Sequence, residues 1–229
     1  MSHSPDTGLH PYDRTEFQLE RIILFSDAVF AIAITLLIIE IKVPELHHRT
    51  EHEALVSLLR LIPKFVGFFI GFFVIATYWA AHHRIFRFVR HYNDGLIWLN
   101  IFFLLSNVLM PFTSAYYGEY PQLNVPFVLY CTSVIGTRLL QLRMQSSLAN
   151  PKYGFVHPDV AAHPDLDPWR PLIPVSVFLL GIILVLTLPS PWFGRFVPIL
   201  IFPFVLLYGR RYRRLLREFE ARQPLVPTH

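Results

Sequence analysis

Asp27 lies in the motif Arg21-Ile22-Ile23-Leu24-Phe25-Ser26-Asp27, which opens an apolar run that continues to Glu40. A carboxylate carried into hydrocarbon on a helix costs at least ~2.5 kcal/mol when central, so it must face protein, water or a partner. The polar groups of the next apolar segments are its candidate partners: His82, His83, Asn100, Ser106 and Asn107. His82 and His83, beside Arg84 and Arg87, could form a proton or metal site, although the plainer reading is a histidine pair at an interfacial helix end. His47, His48 and His52 with Glu51 and Glu53 have a spacing that suits a surface zinc, against which stands the plainer reading of a solvated loop. Asp165 and Asp167 sit in a Pro-rich loop with no nucleophile-base pattern, and no metal cluster or carboxylate pair suggests an enzyme. One cysteine, Cys131, excludes an intrachain disulfide.

The elements that position these groups follow from composition. The chain has 229 residues, 53% hydrophobic and 16% charged, with a mean hydropathy of +0.43; a soluble domain carries roughly a quarter charged residues. Such a chain is a membrane protein, and its net charge of +4 does not make it a nucleic-acid binder. No cofactor is called for. The polar start, Met1 to Glu20, has neither a basic leader nor a small-residue cleavage site, so the first span is expected in the mature protein. Apolar runs long enough to cross about 30 Å of hydrocarbon predict an all-α, polytopic protein with six transmembrane helices, at residues 22–43, 60–83, 95–116, 123–143, 171–189 and 191–209. The last two are separated by Pro189-Ser190-Pro191, a turn that predicts an antiparallel hairpin. A basic tail, 210–229, follows, and no internal repeat divides the single domain 1–229.

Fifteen of the twenty cations fall on the side of the termini, including Arg84, Arg87, Arg90, Arg143 and the Arg210–Arg222 group. That bias predicts cytoplasmic N- and C-termini. Arg138 is expected to snorkel to the same interface. The basic segment after Tyr208 reads as a helix lying along anionic headgroups or a neighbouring subunit.

At 100° per residue, Ile32, Thr35 and Ile39 fall within about 60° of one another, with Ala28 one turn below, while Asp27 lies about 140° from Ile32. The acid is therefore expected to point away from this stripe, into the bundle. By composition alone the stripe could meet a pore, a helix or lipid, and Thr35 could simply bond the carbonyl four residues back.

The Arg21-x-x-x-Phe25-Ser26-Asp27 motif, the Ala-Ile-x-Ile-Thr-Leu-Leu run after it and the closing Lys42-Val43-Pro44 resemble the signature of the transmembrane protein 175 family, the endosomal and lysosomal potassium channels with bacterial relatives. Trp79-x-x-His82-His83-Arg84 resembles the bacterial branch, whose members carry one six-helix unit per chain and assemble as homotetramers. The resemblance implies a potassium channel in a bacterial cell membrane, its pore lined by the first helix of each subunit. Carried over by position, Ile32 would form the narrowest ring and Ile39 a second, with Thr35 between them and Ala28 and Leu36 alongside. It also implies that Arg21, Phe25, Ser26 and Asp27, with Trp79, His82, His83 and Asn107 from the neighbouring helices, anchor the first helix. No Thr-Val-Gly-Tyr-Gly filter is present, which excludes the usual carbonyl-lined potassium pore. The competing reading is a proton-coupled secondary transporter titrating Asp27 and His82 or His83, with Pro198 and Pro203 in the last span its best support.

Overall fold

The computed structural model describes residues 11–167, 169–190, 192–197 and 201–222. Among them the regular structure is helical: α1 (Pro11–Ile39), α2 (Glu51–Arg60), α3 (Ile62–Phe86), α4 (Asp94–Val108), α5 (Met110–Glu119), α6 (Asn124–Ala149), α7 (Trp169–Thr187), α8 (Trp192–Phe196) and α9 (Ile201–Arg222). Three short 3₁₀ turns interrupt the loop between α6 and α7. Among the described residues, four stretches are long and apolar enough to cross a membrane: Phe17–Ile39, Ile62–Phe86, Asp94–Glu119 and Asn124–Ala149. Leu172–Thr187 is a shorter apolar helix.

Several boundaries differ from the expected spans for local reasons. The first helix begins ten residues before Arg21 and ends at Ile39, which leaves Lys42-Val43-Pro44 in the following loop. The amphipathic lead-in to the second span is a separate helix, α2. Thr50 caps it by accepting the Glu53 N–H, while the Glu53 carboxylate reaches back to the backbone N–H groups of His47 and His48 at 2.8 and 2.7 Å. The third span is divided at Leu109, because Pro111 has no N–H to continue the α4 ladder. Where the sixth span was expected, the structure has the five-residue α8 and then α9; residues 198–200 between them lie outside the described set, as do 223–229 of the expected tail.

α1 packs on α3, α4 and α5, while α6 bridges α4 and α5 to α7. Two glycines permit the closest approaches. A Cβ at Gly71 would stand 3.1 Å from both Leu37 and Ser114, where α3 meets α1 and α5. A Cβ at Gly194 would fall 2.7 Å from the Gly181 carbonyl oxygen, so α8 can lie against α7 only because residue 194 has no side chain.

The two ends of the bundle are closed by different chemistry. At one end, Lys64 of α3 pairs with Glu119 of α5 at 2.7 Å, and Arg195 of α8 donates to the Gln122 carbonyl and the Asn124 side chain. At the other, the loop 150–167 folds over the helix ends around Asp165, whose side chain is 1% exposed. Arg87, which caps the end of α3, donates to its Oδ2 at 2.6 Å, Arg84 of α3 stands 3.7 Å from Oδ1, and Tyr212 of α9 donates to Oδ1 at 3.0 Å. Gln145 of α6 donates to the Asp165 carbonyl. The Pro-rich loop, which the sequence offers as a connector without chemistry, is thus a clasp that gathers the ends of three helices.

His163 completes this clasp. Its ring lies between Phe88 and Phe219, at 4.7 and 5.0 Å, and its Nδ1 accepts the Asp165 N–H at 3.0 Å. Burial holds the imidazole below the ordinary histidine range; Asp165 opposes the shift and Arg87 reinforces it. The unfolded chain therefore takes the proton first, and the clasp contributes fully only above about pH 6.5. Lowering the pH from 7.5 to 5.5 is expected to lower the thermal midpoint of the detergent-solubilised protein, and H163Q to flatten that dependence. Asp165→Asn should cost about 2 kcal/mol at pH 7.5, below the full penalty for breaking a buried pair because Arg87 is half exposed and can reach water.

Candidate functional site

The first helix divides into three faces. Leu19, Ser26, Phe30, Ala33 and Leu37 are buried, with Ser26 and Ala33 completely so. Ala28, Ile32, Thr35, Leu36 and Ile39 lie on the exposed side, Ile32 at 57% and Ile39 at 67%. Asp27 is half-buried on the flank between them. The 140° separation of Asp27 from Ile32 is consistent with this, but the residue that points into the bundle is its neighbour, Ser26.

Ser26 begins a chain of hydrogen bonds through the apolar core. Its hydroxyl donates to the Ile22 carbonyl at 2.8 Å and accepts from Asn100 Nδ2 at 2.9 Å. Asn100 Oδ1 lies 2.9 Å from His82 Nε2. A carbonyl oxygen only accepts, so His82 carries its proton on Nε2. The imidazole is stacked on Phe86 at 4.0 Å, lies parallel to Phe103 at 5.7 Å and meets Phe30 at the same separation. His82 is 1% exposed and Asn100 2%. Three helices, α1, α3 and α4, are joined here by groups that have no water to turn to.

Asp27 is held differently. Its Oδ1 accepts the Trp79 indole N–H at 2.8 Å, and the Trp79 ring lies 5.8 Å from that of the exposed His83. None of the partners expected for Asp27, namely His82, His83, Asn100, Ser106 and Asn107, bonds it; the geometry gives it Trp79, one helix across. Ser106 and Asn107 instead donate to the Phe103 carbonyl of their own helix. Asn107 is fully buried, and its Oδ1 has no hydrogen-bond partner among the described residues. Arg21 and Phe25 are exposed, and Arg21 makes no ion pair among the described residues.

Thr35 Oγ1 lies 3.0 Å from the Ala31 carbonyl and 2.9 Å from that of Ile32, so its proton is committed to its own helix. Its lone pairs are left on the exposed face, between Ile32 and Ile39. Arg138, expected to snorkel, makes contacts within the bundle. Its guanidinium lies 4.1 Å over the Tyr78 ring and donates to Gln141 and Thr77, tying α6 to α3. In the loop before α2, the zinc arrangement is not assembled. The Glu53 carboxylate is occupied by the backbone N–H groups of His47 and His48, which hold its pKa down, and no group of three metal-ligating side chains occurs among the described residues.

Asn100 entered the sequence reading only as a partner for Asp27, and Gln145, Asp165 and Tyr212 did not enter it as functional groups. A signal existed for the first: Leu96, Asn100, Phe103, Leu104 and Asn107 recur at helical spacing, and all are buried.

A helical bundle with four membrane-length apolar stretches, and an apolar stripe of its first helix left uncovered, defines an all-α polytopic membrane protein. Residues 21–111 match the family model described as "Endosomal/lysosomal potassium channel TMEM175", so that stretch is similar to the TMEM175 family. It is 43% identical over 114 residues to a potassium channel of Chamaesiphon minutus, covering 48% of this chain and 56% of that protein. It is 34% identical over 98 residues to one of a Chryseobacterium species, covering 43% and 48%. The Homo sapiens relative, named endosomal/lysosomal proton channel TMEM175, is 26% identical over 122 residues, covering 53% of this chain and 24% of the relative. The chain thus spans about half the length of the bacterial curated relatives it matches. In structure it resembles the lysosomal potassium-selective channel TMEM175 homolog of Chamaesiphon minutus, with a TM-score of 0.67 and 29% identity over 83% of this chain and 97% of that one. The fold also matches that of the potassium channel MtTMEM175, at a TM-score of 0.58 and 21% identity over 93% of this chain and 100% of that one.

The hydrogen-bond chain generates a contrast in stability. Asn100→Leu orphans the buried His82 Nε2–H and is expected to cost about 2 to 3 kcal/mol. Trp79→Phe removes an exposed bond and should cost less than about 1 kcal/mol. Thermal unfolding of both variants in one detergent tests the order; equal losses would mean that the core chain does not set the position of α1.

Proposed function

We propose that the chain is one subunit of a homotetrameric, potassium-selective cation channel in a bacterial cell membrane, conducting passively through a pore lined by α1. The observation that carries this reading is the division of α1 into a packed face and an exposed stripe, Ala28, Ile32, Thr35, Leu36 and Ile39, on the helix that opens the TMEM175 family match. Four copies that turn this stripe to a common axis cover it, which a monomer does not. The end of the bundle that carries Arg84, Arg87 and α9 faces the cytoplasm in this reading, and the remaining spans lie where the hydropathy puts them.

Rings of Ile32 and Ile39 narrow enough to exclude water close such a pore by dewetting, and widening it requires the helices to tilt or rotate. Thr35 lies between the rings. With its proton donated to the helix backbone, its oxygen can only accept, so four of them offer a permeating cation acceptors in place of lost water. Potassium surrenders its hydration more readily than sodium, which gives an apolar constriction a modest preference for it. Arg21, Phe25, Trp79 and His83, exposed in the single chain, and the half-buried Asp27 are placed to meet a neighbouring subunit, while Ser26 and His82 fix the helix internally and the buried Asn107 bonds its own helix.

The proton-coupled alternative needs Asp27 and a histidine to exchange a proton. Asp27 is bonded to Trp79 and His82 to Asn100, which speaks against a direct pair. The animal relatives, named as proton channels, are the reason to measure protons in the same assay.

Ile32→Asn should raise basal potassium flux in proteoliposomes at least tenfold and bring sodium flux closer to it, with flux following the imposed voltage and needing no proton gradient. Unchanged flux in that variant would mean that α1 does not line the pathway.

A further inference from the structure

α9 has a ridge of arginines that is exposed among the described residues. At 100° per residue, Tyr212, Leu215, Leu216 and Phe219 share an arc of about 100°, and Arg210, Arg213, Arg214 and Arg217 share the opposite one. The first set is turned toward the bundle: all four are partly buried, Tyr212 donates to Asp165, and Phe219 lies edge-on to His163 at 5.0 Å. The four arginines are exposed. Arg214 pairs with Glu218 at 2.9 Å, an exposed contact one turn along the same helix. Arg210, Arg213 and Arg217 make no ion pair among the described residues.

This arrangement excludes the usual use of a basic amphipathic helix, in which the apolar face sinks into the bilayer. Here that face is already occupied by the Asp165 clasp. The ridge also begins where an apolar sequence ends. The helix opens with Ile201-Phe-Pro-Phe-Val-Leu-Leu-Tyr208, and at a rise of 1.5 Å per residue Arg210, Arg213 and Arg214 follow Tyr208 by about 3 to 9 Å. The headgroup layer is roughly 5 to 8 Å deep on each side of the hydrocarbon. Arg217, about 14 Å along, lies within about a screening length of that layer. Each position is Arg and none is Lys, the choice that suits bidentate binding of phosphate.

We propose that the Arg210, Arg213, Arg214 and Arg217 ridge of α9 binds the phosphates of anionic phospholipid headgroups, with the clasp holding the ridge outward toward them. Its partner is the lipid of the protein's own membrane, and the binding does not depend on which ion the protein conducts.

The full chain in a neutral detergent, titrated with phosphatidylglycerol or phosphatidylcholine and examined by native mass spectrometry, tests this. Wild type should retain phosphatidylglycerol at least tenfold better than phosphatidylcholine, and the preference should fall steeply between 50 and 300 mM salt. R210Q/R213Q/R214Q/R217Q should abolish the preference, the four-lysine variant should keep part of it, and Arg60→Gln at the opposite end should leave it intact. A wild-type protein with no preference, or with one insensitive to salt, overturns the proposal whether or not any variant folds. So does a glutamine variant of unchanged thermal midpoint that keeps the preference. Displacement of the lipid by an equal concentration of inorganic phosphate would make the ridge a site for free anions and would also overturn it.

Discussion

The hydrogen-bond chain from Ser26 through Asn100 to His82 sets the rotation of the first helix, and the rest of the molecule depends on that rotation. An apolar helix among apolar helices has little to define its angle, because leucine against leucine and leucine against lipid are nearly equivalent. Polar groups remove that freedom. If α1 turned by one residue, Ser26 would lose Asn100, and the amide and imidazole would be left in a place where an unmade hydrogen bond costs more than most packing contacts. The stacking of His82 between Phe86 and Phe103 fixes the acceptor and donor in turn. With the inner face fixed, the outer stripe of Ile32, Thr35 and Ile39 is fixed too, and so is the flank on which Asp27 meets Trp79.

The same logic operates at the basic end with charges in place of amides. Asp165 is a buried carboxylate with Arg87, Arg84 and Tyr212 around it, and those partners come from two helices far apart in sequence. Such a group adds little net stability, since desolvation offsets most of the attraction, but it penalises any arrangement in which one partner is missing. Its effect is therefore positional: it specifies where α9 lies relative to α3 and which side of α9 faces inward. Arg138 plays a comparable part at mid-bundle, its guanidinium resting on Tyr78 between α6 and α3.

The stripe on α1 and the ridge on α9 are both defined by what their opposite faces do. Neither is a pocket or a cluster of reactive groups. Each is a row of residues left uncovered because the other side of its helix is committed to the bundle, and each is proposed to meet a partner that is itself extended: a column of ions and water along an axis in one case, a sheet of headgroups in the other.

The all-α, membrane-spanning character of the chain and the distinctive nature of its first span could be read from the residues alone, because hydrocarbon thickness and the cost of a buried carboxylate act on length and composition without reference to folding. Ile32, Thr35 and Ile39 could be grouped on one face for a similar reason, since helical spacing is local. The partners could not be read. Asp27 takes Trp79 and not a histidine, the Pro-rich loop closes on Asp165, and the arginines of α9 turn outward, because each depends on which side chain of a distant helix arrives within 3 Å, and that is settled only when the helices pack. Sequence determined which residues must be satisfied; tertiary structure decided by whom, and so which faces were left free.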